Sequence, residues 1–280
     1  MASADLKANR AFGLRDDMSF GIQVVGDKAG DLDFSLMSGN FTFSYLKALN
    51  DDGSHILSIG LSGGFNQNRI DLSDAKLKEQ IDPYILNPDF SNSRSYFDLS
   101  AGVSWFIPLT VDDFIYLGAS RFHINRSQVS FLRKSVDIPD SYLIFPRTTF
   151  HGGASLRLGA LLTIKPSFIY LHQGPHEEIN LGSFFSLNHA ERSYLKPEYS
   201  LHLGAWVRWS YRDGALNRDA VVASIRYDNL NTIYTFSYDI NISDLVKASR
   251  SQGGPELSII HYIDIIRPER KQFRIKCPEF

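Results

Sequence analysis

The chain has 280 residues, a formal net charge of −2 and a sequence pI of about 6.4. That balance argues against a nucleic-acid binder working by bulk electrostatics, and a single cysteine, Cys277, excludes an intramolecular disulfide or a Cys-based zinc cluster within the chain. Aromatic residues make up 13%, with 20 Phe, 13 Tyr and 20 Gly, the composition of an all-β chain, and no segment approaches the ~18 uninterrupted apolar residues of a transmembrane helix.

In chain order, the first residues, Met1-Ala-Ser-Ala-Asp-Leu-Lys, lack the apolar core of a signal peptide, and residues 1–17 are read as an N-terminal segment. From there, period-two alternation recurs. A weaker strand is predicted over Phe20–Val24. Met37, Gly39, Phe41, Phe43 and Tyr45 then alternate with Ser38, Asn40, Thr42 and Ser44. Leu57 to Phe65 and Phe97 to Trp105 repeat the pattern. Weaker candidates follow at Phe114–Phe122 and Arg147–Leu158, and a clear one at Leu162–Tyr170. After a weaker strand at Asn180–Leu187 comes the plainest case, Tyr199 to Tyr211. One of its faces reads Tyr199, Leu201, Leu203, Ala205, Val207, Trp209, Tyr211. At ~3.3 Å per residue this strand is about 40 Å long. Tilted ~45°, it spans roughly 28 Å along a membrane normal, near the height of an outer-membrane apolar band with its aromatic girdles. Val221–Tyr227, Tyr234–Ile240 and a weaker Glu256–Ile266 bring the count to about twelve.

The strong segments carry no charge on their apolar faces. A charge there costs about 2–4 kcal/mol at mid-membrane, so its absence is what lipid contact requires. Long connections are expected at Arg69–Arg94, Ile124–Ile144 and Asn188–Pro197, and short ones at Ile107–Thr110 and Asp228–Asn231, an asymmetry typical of outer-membrane barrels. With no linker or fixed-period repeat, residues 18–266 read as one antiparallel transmembrane β-barrel of about 12–14 strands. The alternative on pattern alone is a soluble β-sandwich, which would turn the same apolar faces inward.

On the polar faces, Lys165, His202, Arg208 and Arg226 are predicted to face the lumen as interior ion pairs or pore lining. His172 and His176 have a spacing that would suit metal binding on a helix, but Gly174-Pro175 between them forbids a helix and predicts a turn between two strands. The carboxylate pairs Asp16-Asp17, Asp51-Asp52 and Asp112-Asp113 fall in predicted turns. No nucleophile elbow or phosphate-binding glycine loop is present, and no Ser/His pair can be singled out. The residues therefore indicate neither an enzyme nor a cofactor or metal site.

Several segments resemble one family. Ala223-Ser-Ile-Arg-Tyr-Asp-Asn-Leu, Phe236-Ser-Tyr-Asp-Ile-Asn-Ile-Ser243, Gly253-Gly-Pro-Glu-Leu-Ser-Ile259 and the terminal Cys277-Pro-Glu-Phe280 are similar to the closing region of the PorP/SprF membrane proteins of the type IX secretion system. Gly26-Asp-Lys-Ala-Gly30, Leu61-Ser-Gly-Gly-Phe-Asn-Gln67 and Lys165-Pro-Ser167 match its upstream motifs. Two departures stand out: the family's proline before a histidine is here Phe122, and its signal peptide and first strands are absent from residues 1–17. The resemblance implies an integral outer-membrane barrel of the secretion and gliding machinery, set in outer-membrane lipid. It also implies partners: periplasmic ring and stem proteins, and secreted surface adhesin cargo that the barrel anchors or displays. The alternative is a porin or small-molecule transporter. Residues 267–280 form a basic C-terminal tail expected in the periplasm, with Arg267, Arg270, Lys271, Cys277 and Phe280 as candidate partner contacts.

Overall fold

The computed structural model describes residues 1–9, 16–30, 33–50, 53–70, 91–110, 112–131, 142–159, 161–188, 199–212, 215–229, 231–243 and 253–263. The strands are β1 (Ala2–Asn9), β2 (Asp16–Ala29), β3 (Phe34–Ala48), β4 (Ile56–Arg69), β5 (Ser93–Pro108), β6 (Phe114–Phe122), β7 (Arg147–Leu158), β8 (Leu162–Gln173), β9 (His176–Asn188), β10 (Tyr199–Arg212), β11 (Ala215–Asn229), β12 (Thr232–Asn241) and β13 (Pro255–His261). They form one sheet in strict sequence order, β1 to β13, and the pairings from β1 to β4 and from β8 to β13 are all antiparallel. This is the expected all-β antiparallel meander in the predicted range of about twelve to fourteen strands. The strands over Phe114–Phe122 and Arg147–Leu158 have the predicted bounds.

Two differences have local causes. Ala2–Asn9, where no strand was predicted, pairs residue for residue with Val24–Asp17 of β2. With partners on both edges, β2 extends well beyond the predicted Phe20–Val24 and takes in Asp16-Asp17, which were expected in a turn. The paired Asp51-Asp52 lie outside the described residues.

The chain divides into two compact units. The first comprises Met1–Trp105 with Gly118–Thr149. Its register sets Leu6, Phe20, Phe43 and Leu61 side by side on one face. The adjacent row, on the opposite face, is Asp5, Gly21, Thr42 and Ser62, in which the Thr42 hydroxyl donates to Ser62 Oγ at 3.1 Å. Beyond β6 the chain bends at His123, whose φ is 57°, and turns back through Arg126, whose N–H donates to the His123 carbonyl. The bend is thus made without the family's proline. Instead, the His123 ring contacts Asp98 Oδ2 at 2.9 Å, and Asn125 bridges to the backbone of Phe97 and Leu99.

The second unit comprises Phe106–Leu117 with Phe150–Phe280. Here Ile164, Phe185, Leu203, Ile225, Phe236 and Leu257 form one row across six strands. The next row is Thr163, Ser186, His202, Arg226, Thr235 and Ser258. Successive residues of a strand point to opposite faces, so the first row lies on a greasy face and the second on a face that is mainly polar. As predicted, Gly174-Pro175 is a two-residue hairpin turn, with a positive φ at Gly174. β13 ends beside the turn after β11, where the Tyr262 N–H donates to the Asn231 carbonyl at 2.8 Å.

Burial decides between barrel and sandwich. Among the described residues the buried side chains are mainly polar, including Ser186, His202, Arg226, Thr163 and Asp98, whereas the buried apolar residues are Ile56, Phe106, Tyr116, Ala220 and Ile233. Phe65, Leu203 and Ile225 are 60%, 48% and 52% exposed. A sandwich would bury its apolar faces; this sheet does the reverse. Many strands also run 12 to 16 residues, against a usual five or six in soluble sheets.

Candidate functional site

The four residues predicted to face the lumen all lie on the polar face of the second unit, the face that a barrel of this kind turns to its interior. They do not form one cluster. His202 on β10 and Arg226 on β11 are direct cross-strand partners. Asp228, two residues beyond Arg226 and so on the same face, accepts from Arg226 Nε at 2.7 Å and from Nη2 at 3.0 Å. This fork-to-fork pairing fixes both groups in orientation as well as charge. On the other side of His202, its Nδ1 lies 2.5 Å from the Ser186 hydroxyl of β9. His202 Nε2 is 3.2 Å from Asp228 Oδ2 but poorly aligned for a hydrogen bond, so that contact is mainly electrostatic. Lys165 on β8 is close enough to act on His202 through its charge. Ser186, His202 and Arg226 are 1%, 3% and 6% exposed. His202 and Arg226 are therefore nearly buried while Asp228 keeps 28% of its side chain exposed, and a buried charge must be well paired to be tolerated.

Arg208, three rows along β10, belongs to a second network. Its Nε donates to Asp219 Oδ2 at 2.5 Å and its Nη2 to Asp239 Oδ2 at 2.9 Å. A β-bulge makes this possible. Arg208 pairs with Ala220 and Trp209 with Arg218, which leaves Asp219 as the extra residue on β11. Strict alternation would put Asp219 on the apolar face with Val221, Ala223 and Ile225; the bulge re-aims it at Arg208. Between the two networks the Trp206 ring lies over Gly182 and Gly204, where a Cβ would collide with it. Its Nε1 donates to Ser167 Oγ at 3.3 Å, and Phe184 meets it edge-on at 4.6 Å.

Sequence reasoning missed the acidic partners Asp219 and Asp228, and also Ser186. Asp239 lies within the predicted strand Tyr234–Ile240, but its pairing with Arg208 was not foreseen. The lost signal is register: Ser186, His202 and Asp228 are far apart in the chain and meet only through cross-strand pairing. Together they bring a hydroxyl, an imidazole and a carboxylate into line, the pairing that no sequence pattern singled out. Its chemistry is nevertheless closed to substrate. A nucleophile must be reachable, yet Ser186 is all but fully buried. Both Asp228 oxygens are also engaged by Arg226. The line is a structural tie across β9, β10 and β11.

Elsewhere, Asp112-Asp113 sits in the β5–β6 turn. The Thr110 hydroxyl donates to Asp113 Oδ2 at 3.0 Å, and Arg157 pairs with Asp112 Oδ2 at 2.5 Å. His172 Nδ1 lies 3.5 Å from Glu177 Oε1 across the Gly174-Pro175 turn. Arg267, Arg270, Lys271, Cys277 and Phe280 lie outside the described residues.

Among solved structures the chain is similar to the toluene transporter TbuX of Ralstonia pickettii, with 11% identity and a TM-score of 0.47 over 82% of this chain and 74% of that one. No curated protein matches it. A family model described as type IX secretion system membrane protein PorP/SprF matches residues 2–260, nearly the whole chain and all thirteen strands but the final His261. The exposed apolar face, the ion-paired polar face and the ordered antiparallel meander all accord with that match, and the chain belongs to the PorP/SprF family of type IX secretion system membrane proteins.

Proposed function

We propose that this protein is an outer-membrane anchor of the type IX secretion and gliding apparatus, one that holds or displays secreted adhesin cargo and contacts the periplasmic ring and stem proteins. The observation that carries an anchoring rather than a conducting role is the dry polar row Thr163–Ser186–His202–Arg226. A water-filled channel needs a wetted lining, and the charges here are spent on one another through Asp228, Asp219 and Asp239. The structure presents no accessible nucleophile at its Ser186–His202 contact, which supports a non-enzymatic role.

In this reading the basic tail, residues 267–280, docks a periplasmic partner through Arg267, Arg270, Lys271 and the terminal Cys277–Phe280 stretch. Deleting Arg267–Phe280 is expected to abolish co-purification of the ring and stem proteins while the remaining chain still inserts into the outer membrane. Unchanged co-purification would end the tail's role.

A further inference from the structure

On the apolar face of the first unit, the greasy rows do not run to the strand ends. The register across β2, β3 and β4 gives Val24–Gly39–Phe65, then Gly26–Met37–Gln67, then Lys28–Ser35–Arg69. Two cations therefore flank a serine at the point where the apolar surface stops. With neighbouring strands about 4.8 Å apart, the backbones of Lys28 and Arg69 are roughly 10 Å apart, with Ser35 between them. A groove of about 480 Å³ opens here, lined mostly by residues of these rows. Its floor is left open at Gly26, which has no side chain and where a Cβ would meet nothing within 4 Å. Met37 and Phe65 stand beside it, both more than half exposed.

We infer that this rim groove binds a phosphate-bearing anionic membrane lipid, its headgroup between Lys28 and Arg69 and an acyl chain lying over the glycine floor toward Val24 and Phe65. The Arg69 guanidinium suits a phosphate because its planar fork matches two oxygens at once, and Ser35 adds a hydroxyl donor. Asp33 is the competing anion: it pairs with Lys28 at 2.8 Å, but both side chains are more than half exposed, and such a pair is readily exchanged. Asp27 also lines the groove but alternates to the other face of β2. A free phosphate would use only the cations; the continuity with the apolar rows favours a lipid. The inference rests on the apolar face meeting the bilayer and is independent of which secretion partner the protein contacts.

The test uses the full chain reconstituted in nanodiscs of equal phosphatidylglycerol and phosphatidylcholine, then extracted with mild detergent, with retained lipid counted by native mass spectrometry. The wild type is expected to retain phosphatidylglycerol preferentially. Lys28→Gln with Arg69→Gln should lower that preference about tenfold. Gly26→Leu keeps both charges but fills the groove, and should lose retention as well. Asp33→Asn, which releases Lys28, should raise it. Equal retention of the two lipids by the wild type, or wild-type retention by both the double variant and Gly26→Leu, overturns the proposal. Displacement of the lipid by millimolar inorganic phosphate alone would also overturn it, by showing a free-anion site. Because partner co-purification is a separate readout, loss of that interaction leaves this result standing.

Discussion

Asp228 shows how one side chain organises a wall. It takes both arms of Arg226 and faces His202, while His202 is tied to Ser186. Removing it takes both acceptor oxygens away from a nearly buried guanidinium, and breaking a buried pair from one side costs about 3–5 kcal/mol. Asp228→Ala is therefore expected to lose that much stability, read as a lower urea midpoint for unfolding from detergent or lipid. Asp228→Asn keeps the shape and part of the hydrogen bonding and should lose less. The polar character of His202, Arg226, Lys165 and Arg208 was legible because alternation assigns a face to every residue of a strand. Their partners were not: Asp228 was expected in the short Asp228–Asn231 connection but belongs to β11, two residues beyond Arg226, and Asp219 meets Arg208 only through the pairing of β10 with β11.

At the level of the strand, β10 reads from its sequence almost without loss: its predicted limits, Tyr199–Tyr211, fall one residue short of the observed Arg212. Its apolar face bears Leu203 at mid-strand and Tyr211 near the end. Lipid contact makes the cost of a charge depend on depth. Leu203→Arg should cost about 2–4 kcal/mol, whereas Tyr211→Arg should cost about 0–1 kcal/mol, and the same unfolding measurement separates them. Equal costs would argue against a bilayer around β10. The β11 strand shows the limit of such reading. Its bulge opposite Arg208 and Trp209 shifts the alternation by one, so the residues before Asp219 face opposite to what a period of two predicts. β1 was missed for a different reason. Its eight residues include Ala2, Ala4 and Ala8, small side chains that give little hydropathy contrast, and the partner that stabilises it is β2.

For the molecule as a whole, the decisive feature is a sheet with its polarity reversed relative to a soluble protein. The expected asymmetry of short and long connections holds in part. In the second unit the connections at both strand ends include short ones: Gly174-Pro175 and residues 213–214 at one end, residues 159–161 and 230–231 at the other. The connection between β9 and β10, which was predicted to be long, leaves from the same end as the last two. The buried polar row bears on conduction. The protein reconstituted in planar bilayers is expected to show no wide, steady current at neutral pH and moderate voltage. A stable porin-like conductance would favour the transporter alternative and count against the anchor.

Period-two hydropathy was enough to set the all-β class, nearly all the strands and the faces of most of their side chains, and short motifs in order carried the resemblance to the family, because each depends on residues close together along the chain. Which face meets lipid was an inference until burial was seen, since a sandwich writes the same alternation. Register, the bulge at Asp219, the Ser186–His202–Arg226–Asp228 tie and the Lys28–Ser35–Arg69 rim are decided only in the folded sheet. Hydrogen bonding between strands chooses one alignment among many, and a slip of a single residue would have brought different side chains together.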